Sequence, residues 1–219
     1  MGERGAYRIQ LAGEEAVLLP DRALWIPAQH TLLVADLHWG KAAAFRAAHV
    51  PVPTGTTAHD LARLDAVLER TGARTLVVLG DLLHARHGRH PDTMDAIAAW
   101  RAQHSALDIV LVRGNHDVHA GDPPDALGIA CVNEWRGGPF VGLHDAEARD
   151  DGYVLSGHLH PHVTLAGRGR QRARLACFVF GATRGVLPAF SSFTGGGMYE
   201  HAPGDALYGI ADDVVLAVP

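Results

Sequence analysis

Cysteine is nearly missing from this 219-residue chain: Cys131 and Cys177 are the whole complement, and neither stands in a C-x-x-C pair. A disulfide framework is excluded on that count, and a chain of this length does not need one. Both thiols are expected to be reduced and buried in strands. Basic charge is also short. Nineteen Lys and Arg face 24 Asp and Glu, for a formal net charge of −5. A protein that coats nucleic acid nonspecifically relies on many Lys and Arg contacts to phosphate, so that class does not fit. A nuclease is still allowed, because bound divalent cations add positive charge at the site itself. No run approaches the roughly 18 apolar residues of a membrane-spanning helix. The opening MGERGAYRIQLAG lacks the apolar stretch of a secretory signal, and the expected location is the cytoplasm. Repeats, low-complexity tracts and linkers are absent too, so residues 1–219 are expected to form one domain.

What the chain has in excess is histidine, 15 residues. The informative ones fall in a pattern: Asp36-x-His38, Gly80-Asp81, Gly114-Asn115-His116-Asp117, the lone His144, and Gly157-His158-x-His160. Four of these five stretches come just where an apolar, strand-like run ends. Open α/β sheets place ligand sites beyond the carboxyl ends of their strands.

The first half alternates strand and helix. A hairpin is expected over residues 6–19, turning at Ala12-Gly13, then a short strand at 23–26 ended by Pro27. Continuous apolar runs at 31–35, 75–79 and 107–112 read as buried strands. Helices are expected over 41–49, from Thr57 or Asp60 as cap to Gly72, and from Pro91 to about His104. Strands separated by helices imply a parallel sheet with crossover connections. The second half has short strands near 128–132, 139–143, 153–156, 162–166, 172–180, 186–190 and 212–218, with little helix. An antiparallel sheet packed on the first is the expectation, giving a two-sheet β-sandwich flanked by helices in the α/β class.

Acid, amide and imidazole side chains in this order suit two metal ions. Ions about 3.5–4 Å apart clamp the attacking and leaving oxygens of a phosphoryl displacement. They need a small, hard bridging ligand, and Asp81 is the candidate, with Gly80 allowing the backbone to approach. Asp117 reads as a neighbour of the ligands or a turn former. His87, His90 and His119 read as loop residues, and Gly195 to Gly197 as an ordinary turn. Lys41, Arg46 and Arg113 read equally as phosphate contacts or as solvated and salt-bridged groups.

These motifs, in this order across residues 36–160, resemble the calcineurin-like metallophosphoesterase superfamily. The resemblance implies the four-layer metallo-dependent phosphatase fold. It also implies one ion held by Asp36, His38, Asp81 and His160, and a second held by Asp81, Asn115, His144 and His158. Mixed oxygen and imidazole ligands suit Mn²⁺, Fe or Zn²⁺ better than Mg²⁺, with Mn²⁺ the first choice. His116 stays free of metal in this family, where it touches the phosphate and protonates the leaving oxygen. Many family phosphatases carry an Asp three residues after the Gly-Asp carboxylate; here His84 stands there, which resembles the nuclease-like branch. His84 is expected to hydrogen-bond or flank His116.

A second set of residues narrows the match. Asp36-Leu37-His38-Trp39-Gly40-Lys41, the Ala-rich helix with Phe45, Pro51-Val52-Pro53 and the late Leu187 to Gly196 stretch are similar to the bacterial ligase-associated DNA-damage-response phosphoesterase (PdeM) family. That resemblance implies a manganese-dependent phosphodiesterase or DNA endonuclease working beside a DNA ligase and an exonuclease in repair. Two other functions compete. One is hydrolysis of small phosphoesters or nucleotides; the other is a non-catalytic binding module on the same scaffold.

Overall fold

The computed structural model describes residues 4–167, 171–197 and 201–219. The chain opens with β1 (Tyr7–Leu11), β2 (Glu14–Leu19) and β3 (Ala23–Ile26), an antiparallel meander that leads into β4 (Thr31–Val34). Ala12 and Gly13 both have positive φ, 50° and 87°, the geometry of a two-residue hairpin turn that follows strand twist. From β4 the pattern changes. Helices α1 (Lys41–Ala47) and α2 (Thr56–Thr71) cross to β5 (Thr75–Leu79), and α3 (Pro91–Gln103) to β6 (Asp108–Val112). The short α4 (Asn115–Ala120) then leads to β7 (Ile129–Val132). Strands β4 to β7 pair in parallel, so the seven-stranded sheet runs in sequence order from β1 to β7.

Alternation along each strand decides what the sheet's two faces touch. Leu32 and Val34 of β4, Leu76 and Val78 of β5, and Ile109 and Leu111 of β6 pack with Leu61, Leu64, Val67 and Leu68 of α2 and Ile97 and Trp100 of α3. Leu33, Val77, Leu79 and Val112 point the other way, against Phe140, Leu155, Phe178, Leu187 and Ile210 of the second sheet. With apolar side chains on both faces, these strands are buried continuous runs rather than alternating ones.

The second sheet contains β8 (Trp135–Gly137), β9 (Phe140–Gly142), β10 (Tyr153–Ser156), β11 (His162–Ala166), β12 (Arg172–Phe180), β13 (Arg184–Val186), β14 (Ala206–Ala211) and β15 (Val214–Val218). Its order is β15-β14-β12-β13-β10-β9-β8, with β11 paired to β12. The sandwich with flanking helices is as expected, but the second sheet is mixed rather than antiparallel. β10 pairs in parallel with both β9 and β13. The connection over residues 143–152 is long enough to return the chain to its starting end, which a turn-rich composition does not reveal. Among the described residues the α-helices pack on the first sheet and no α-helix follows α4.

Local expectations shift for local reasons. The strand expected at 186–190 stops at Val186. Leu187 N–H still donates to Ser156 O (2.8 Å), but Pro188 has no N–H to extend a ladder. The chain then crosses to the first sheet, where Ala189 bridges to Ala35 and Phe190 N–H donates to Ala35 O (2.8 Å). The strand expected at 212–218 is the return arm of a hairpin, with Asp212 in its turn at φ 50°. Neither Thr57 nor Asp60 caps α2. Gly55 precedes its first turn, and Thr57 Oγ1 instead accepts from Gly40 N–H at 3.1 Å. The buried Asp60 holds Ser192 N–H (3.1 Å) and Arg63 (3.1 Å). Cys177 is buried in β12 and Cys131 half-buried in β7; neither is paired. No helix of the described residues is long and apolar enough to cross a membrane.

Candidate metal centre

The ends of β4, β5, β6, β9 and β10 deliver Asp36, Asp81, Asn115, His144 and His158 to one place. Backbone bonds knit the loops together. Asp36 N–H donates to Gly80 O (3.2 Å), His38 N–H to Asp81 O (2.8 Å) and Gly157 N–H to His144 O (3.2 Å). Asp36, His38, Asp81, His158 and His160 all sit in the left-handed region, with φ between 45° and 66°. A non-glycine residue there is strained, and such strain persists only where surrounding contacts hold it. Two glycines clear the space: a Cβ on Gly80 would lie 2.0 Å from His144 Nδ1, and one on Gly114 2.3 Å from Asp81 Oδ1.

The side chains converge as two trios. Ligand atoms of Asp36, His38 and His160 lie within 4.8 Å of one another, and so do those of Asp81, His144 and His158. Asn115 joins the second through its Oδ1, 3.0 Å from His144 Nε2. Asp81 lies between them. Its Oδ2 is 3.8 Å from His38 Nε2 and its Oδ1 is 3.5 Å from His144 Nε2. All seven residues singled out from the sequence as metal ligands are therefore brought together. His144, flanked by the least diagnostic sequence of the seven, is among the most buried.

The donor set fits divalent cations. His144 Nδ1 donates to Leu79 O (3.0 Å) and His160 Nδ1 to Gly195 O (3.1 Å), which leaves each Nε2 with a lone pair. Backbone carbonyls fixing the far ring nitrogen in this way are the usual outer shell of metal-binding histidines. His144 Nε2 faces Asn115 Oδ1, Asp81 Oδ1 and His158 Nδ1 (3.0 Å), so acceptors meet where a cation would satisfy them. Burial, then the charge of Lys41, pushes His38 down to about 2, so its ring is neutral and able to donate a lone pair. Its Nδ1 is buried without a hydrogen-bond partner. Burial also raises the Asp81 carboxyl above the usual range, as expected of a carboxylate that lacks a counter-charge.

His116 stands beside this cluster, half-exposed. Its Nδ1 donates to the backbone carbonyl of His84 (2.8 Å), and its Nε2 is 4.0 Å from Asp81 Oδ2. The His84 ring stacks on it at 4.7 Å and 25°, and Phe45 covers the other face of His84 at 6.0 Å and 28°. His84 thus flanks His116 with its ring, and its main-chain carbonyl accepts the hydrogen bond. Burial, then the charge of His116, lowers His84 to about 4, so the stacked ring is neutral near pH 7. Replacing His84 with Ala keeps the carbonyl and removes the stack. The expected result is a kcat lowered about 10- to 100-fold through misplacement of His116, with metal content by elemental analysis unchanged. Loss of metal in that variant would contradict a positioning role.

Asp117 is a buried clamp. Its carboxylate accepts N–H bonds from Asp81 (2.7 Å), Gly114 (2.9 Å) and Leu83 (3.2 Å). Those bonds lock the β5 and β6 loops together. Truncation to Ala leaves three buried donors unsatisfied, at about 1–3 kcal/mol each before relaxation. A loss of about 3 kcal/mol or more is expected in chemical denaturation, against a smaller loss for Asn, whose amide oxygen can still accept from Asp81 and Gly114 while its NH₂ faces the Leu83 N–H.

His87, His90 and His119 are exposed and outside the cluster. Arg113 is committed to Asp122 by two bonds at 2.9 and 2.8 Å, and Arg46 to Pro53 O. The Gly195 loop was not expected to matter, yet its carbonyl orients His160. No spacing in the sequence announces a carbonyl that acts across 35 residues.

Comparison with known proteins agrees with this geometry. Residues 30–160 match the family model of the calcineurin-like phosphoesterases. The chain belongs to that family and is a metal-dependent phosphoesterase. At the level of individual proteins, it is 41% identical to the Pseudomonas putida nuclease MPE. That crystal structure superposes with a TM-score of 0.84, covering 96% of this chain and 100% of that one. The phosphoesterase YfcE of E. coli is more distant, at 15% identity and a TM-score of 0.41 over 86% of this chain and 97% of its own. No curated protein matches the chain significantly.

Proposed function

We propose that this chain is a single-domain, two-metal phosphodiesterase that cuts DNA, with manganese as its resident ion. Its setting in this reading is cytoplasmic DNA repair beside a DNA ligase and an exonuclease. The observation that carries the reading is the convergence of seven donor side chains in two groups about Asp81. The choice of DNA is supported by the likeness to a nuclease over nearly the whole chain. The repair setting is supported by the ligase-associated family motifs at Asp36 to Lys41 and Leu187 to Gly196.

Asp36, His38, Asp81 and His160 would hold the first ion, and Asp81, Asn115, His144 and His158 the second. When bound, the ions supply Lewis-acid activation of the attacking water and neutralisation of the phosphoryl oxygens. His116 Nε2 carries the proton that passes to the leaving oxygen, while its Nδ1–H stays on the His84 carbonyl. The stack with His84 and Phe45 holds the ring in plane.

The test is turnover of bis-p-nitrophenyl phosphate, p-nitrophenyl phosphate and single- and double-stranded DNA, with and without chelator, by Mn²⁺-loaded protein. Chelator-sensitive cleavage of the diester and of DNA is expected. Cleavage of the monoester alone would replace this reading with a small-phosphoester hydrolase. No turnover with both sites loaded would leave a binding module.

A further inference from the structure

Beside the metal centre lies a second concavity, of about 730 Å³, within the roughly 300–1,000 Å³ of ordinary ligand sites. Its wall is unusual for this chain. Although the whole protein carries a net charge of −5, the cavity gathers five arginines against three aspartates. Two of the five are committed within the fold. Arg70 pairs with Asp21, and Arg63 bonds Asp60 and the carbonyls of Phe190 and Asp21. The other three, Arg4, Arg22 and Arg174, meet no carboxylate among the described residues. Arg22 is half-buried and uses one guanidinium nitrogen on the carbonyls of Ala189 and Ser191. Burial, then the neighbouring charge of Arg63, lowers it from its ordinary value, with Asp60 acting the other way.

Two short links join the cavity wall to the candidate active site. His162 lines the cavity and bonds through Nδ1 to the backbone carbonyl of His160. Ser192 also lines it, one residue after Ser191, whose N–H donates to Asp36 O at 3.3 Å. Ser192 is shared with the shallower pocket formed by Lys41, Phe45 and Phe193. A strand leaving the metal centre past that loop would next meet these guanidinium groups that lack a carboxylate partner, of which Arg174 spends one nitrogen on the carbonyl of Gly196 (2.7 Å).

We propose that this arginine-lined cavity is a second phosphate subsite, holding a phosphodiester group of the same nucleic-acid strand that flanks the one being cut. The inference rests on the reading of DNA as substrate. It also explains how an acidic protein holds a polyanion: by one local cluster rather than a basic surface.

The experiment compares wild-type and Arg4→Gln/Arg174→Gln holoenzymes on a DNA oligonucleotide across a salt series. Bis-p-nitrophenyl phosphate, too short to reach the cavity, is the second substrate. The expected result is an oligonucleotide KM raised roughly tenfold at low salt, a log KM against log salt slope smaller by about 1, and no comparable change on the small diester. An unchanged oligonucleotide KM and slope overturn the proposal. So does an equal loss on both substrates, which would mean a damaged metal centre. A wild-type protein that cleaves the small diester but not DNA would instead sink the substrate reading, a result distinct from either.

Discussion

Asp81→Asn is expected to lower diester cleavage by at least about 10³-fold, since on the proposed reading it would remove the one group shared by both ions. Asn matches the shape of Asp, so the loop and the His116 N–H bond to Oδ1 (2.9 Å) can survive. What changes is charge and donor character. One oxygen becomes an NH₂ that cannot ligate, pointed at either the His38 or the His144 side, where the carboxylate oxygens now stand 3.8 and 3.5 Å away. A thermal readout separates this from misfolding. Metal at a hundredfold excess over Kd stabilises the folded state by about 2.7 kcal/mol, or roughly 5–10 °C for a chain of this size. Wild-type protein should show that difference between Mn²⁺-loaded and chelated samples, and Asp81→Asn should lose most of it. The chelated variant should melt no lower than chelated wild type. Burial raises the folded-state pKa of Asp81 above its unfolded value. Its contribution to metal-free stability is therefore full below the ordinary carboxylate pKa and lost as pH rises through the raised value. Asn has no such loss near pH 7. Retained turnover within tenfold, or an undiminished metal-dependent shift, would remove Asp81 from the bridging position.

The second large effect concerns His116. Replacement by Ala should lower kcat on DNA by about 10²–10⁴-fold, the range for a lost general acid. Metal content should stay the same, because Nδ1 is occupied by the His84 carbonyl and Nε2 stands 4.0 Å from the nearest Asp81 oxygen. The loss should be much smaller on bis-p-nitrophenyl phosphate, since p-nitrophenolate departs without a proton whereas a deoxyribose oxygen does not. Equal losses on both substrates would show that His116 positions the phosphate rather than protonating the leaving group. A fall in metal content would make it a ligand. The third convergent trio, His38, His84 and His116, makes that last outcome worth measuring.

Much of the site was legible because each ligand sits where a strand ends. The apolar runs at β4, β5 and β6 are continuous, and parallel strands must bring their carboxyl ends to one edge. Asp36, Asp81 and Asn115 could thus be grouped from the linear order. His144 is different. It follows β9, a three-residue strand, and its place depends on β9 running parallel to β10, which composition alone does not specify. Asp60 was misread as a cap, although a carboxylate next to Leu61 and four residues before Leu64 on the buried stripe of α2 is a sign of a buried partner. The part played by Gly195 and by the main chain of His84 could not be read at all, since a backbone carbonyl carries no mark of its function in sequence.

Chemistry and order, then, were in the chain itself: which residues can bind cations, that they follow strands, and that the leading strands lie in parallel. These depend on side-chain type and hydrophobic period, both local properties. The tertiary structure alone decided the parallel pairing in the second sheet, the left-handed backbone at five candidate ligand positions, the Asp117 clamp and the gathering of arginines beside the candidate metal centre. Each of these depends on groups distant in sequence, whose contacts form only when two sheets close on a common core.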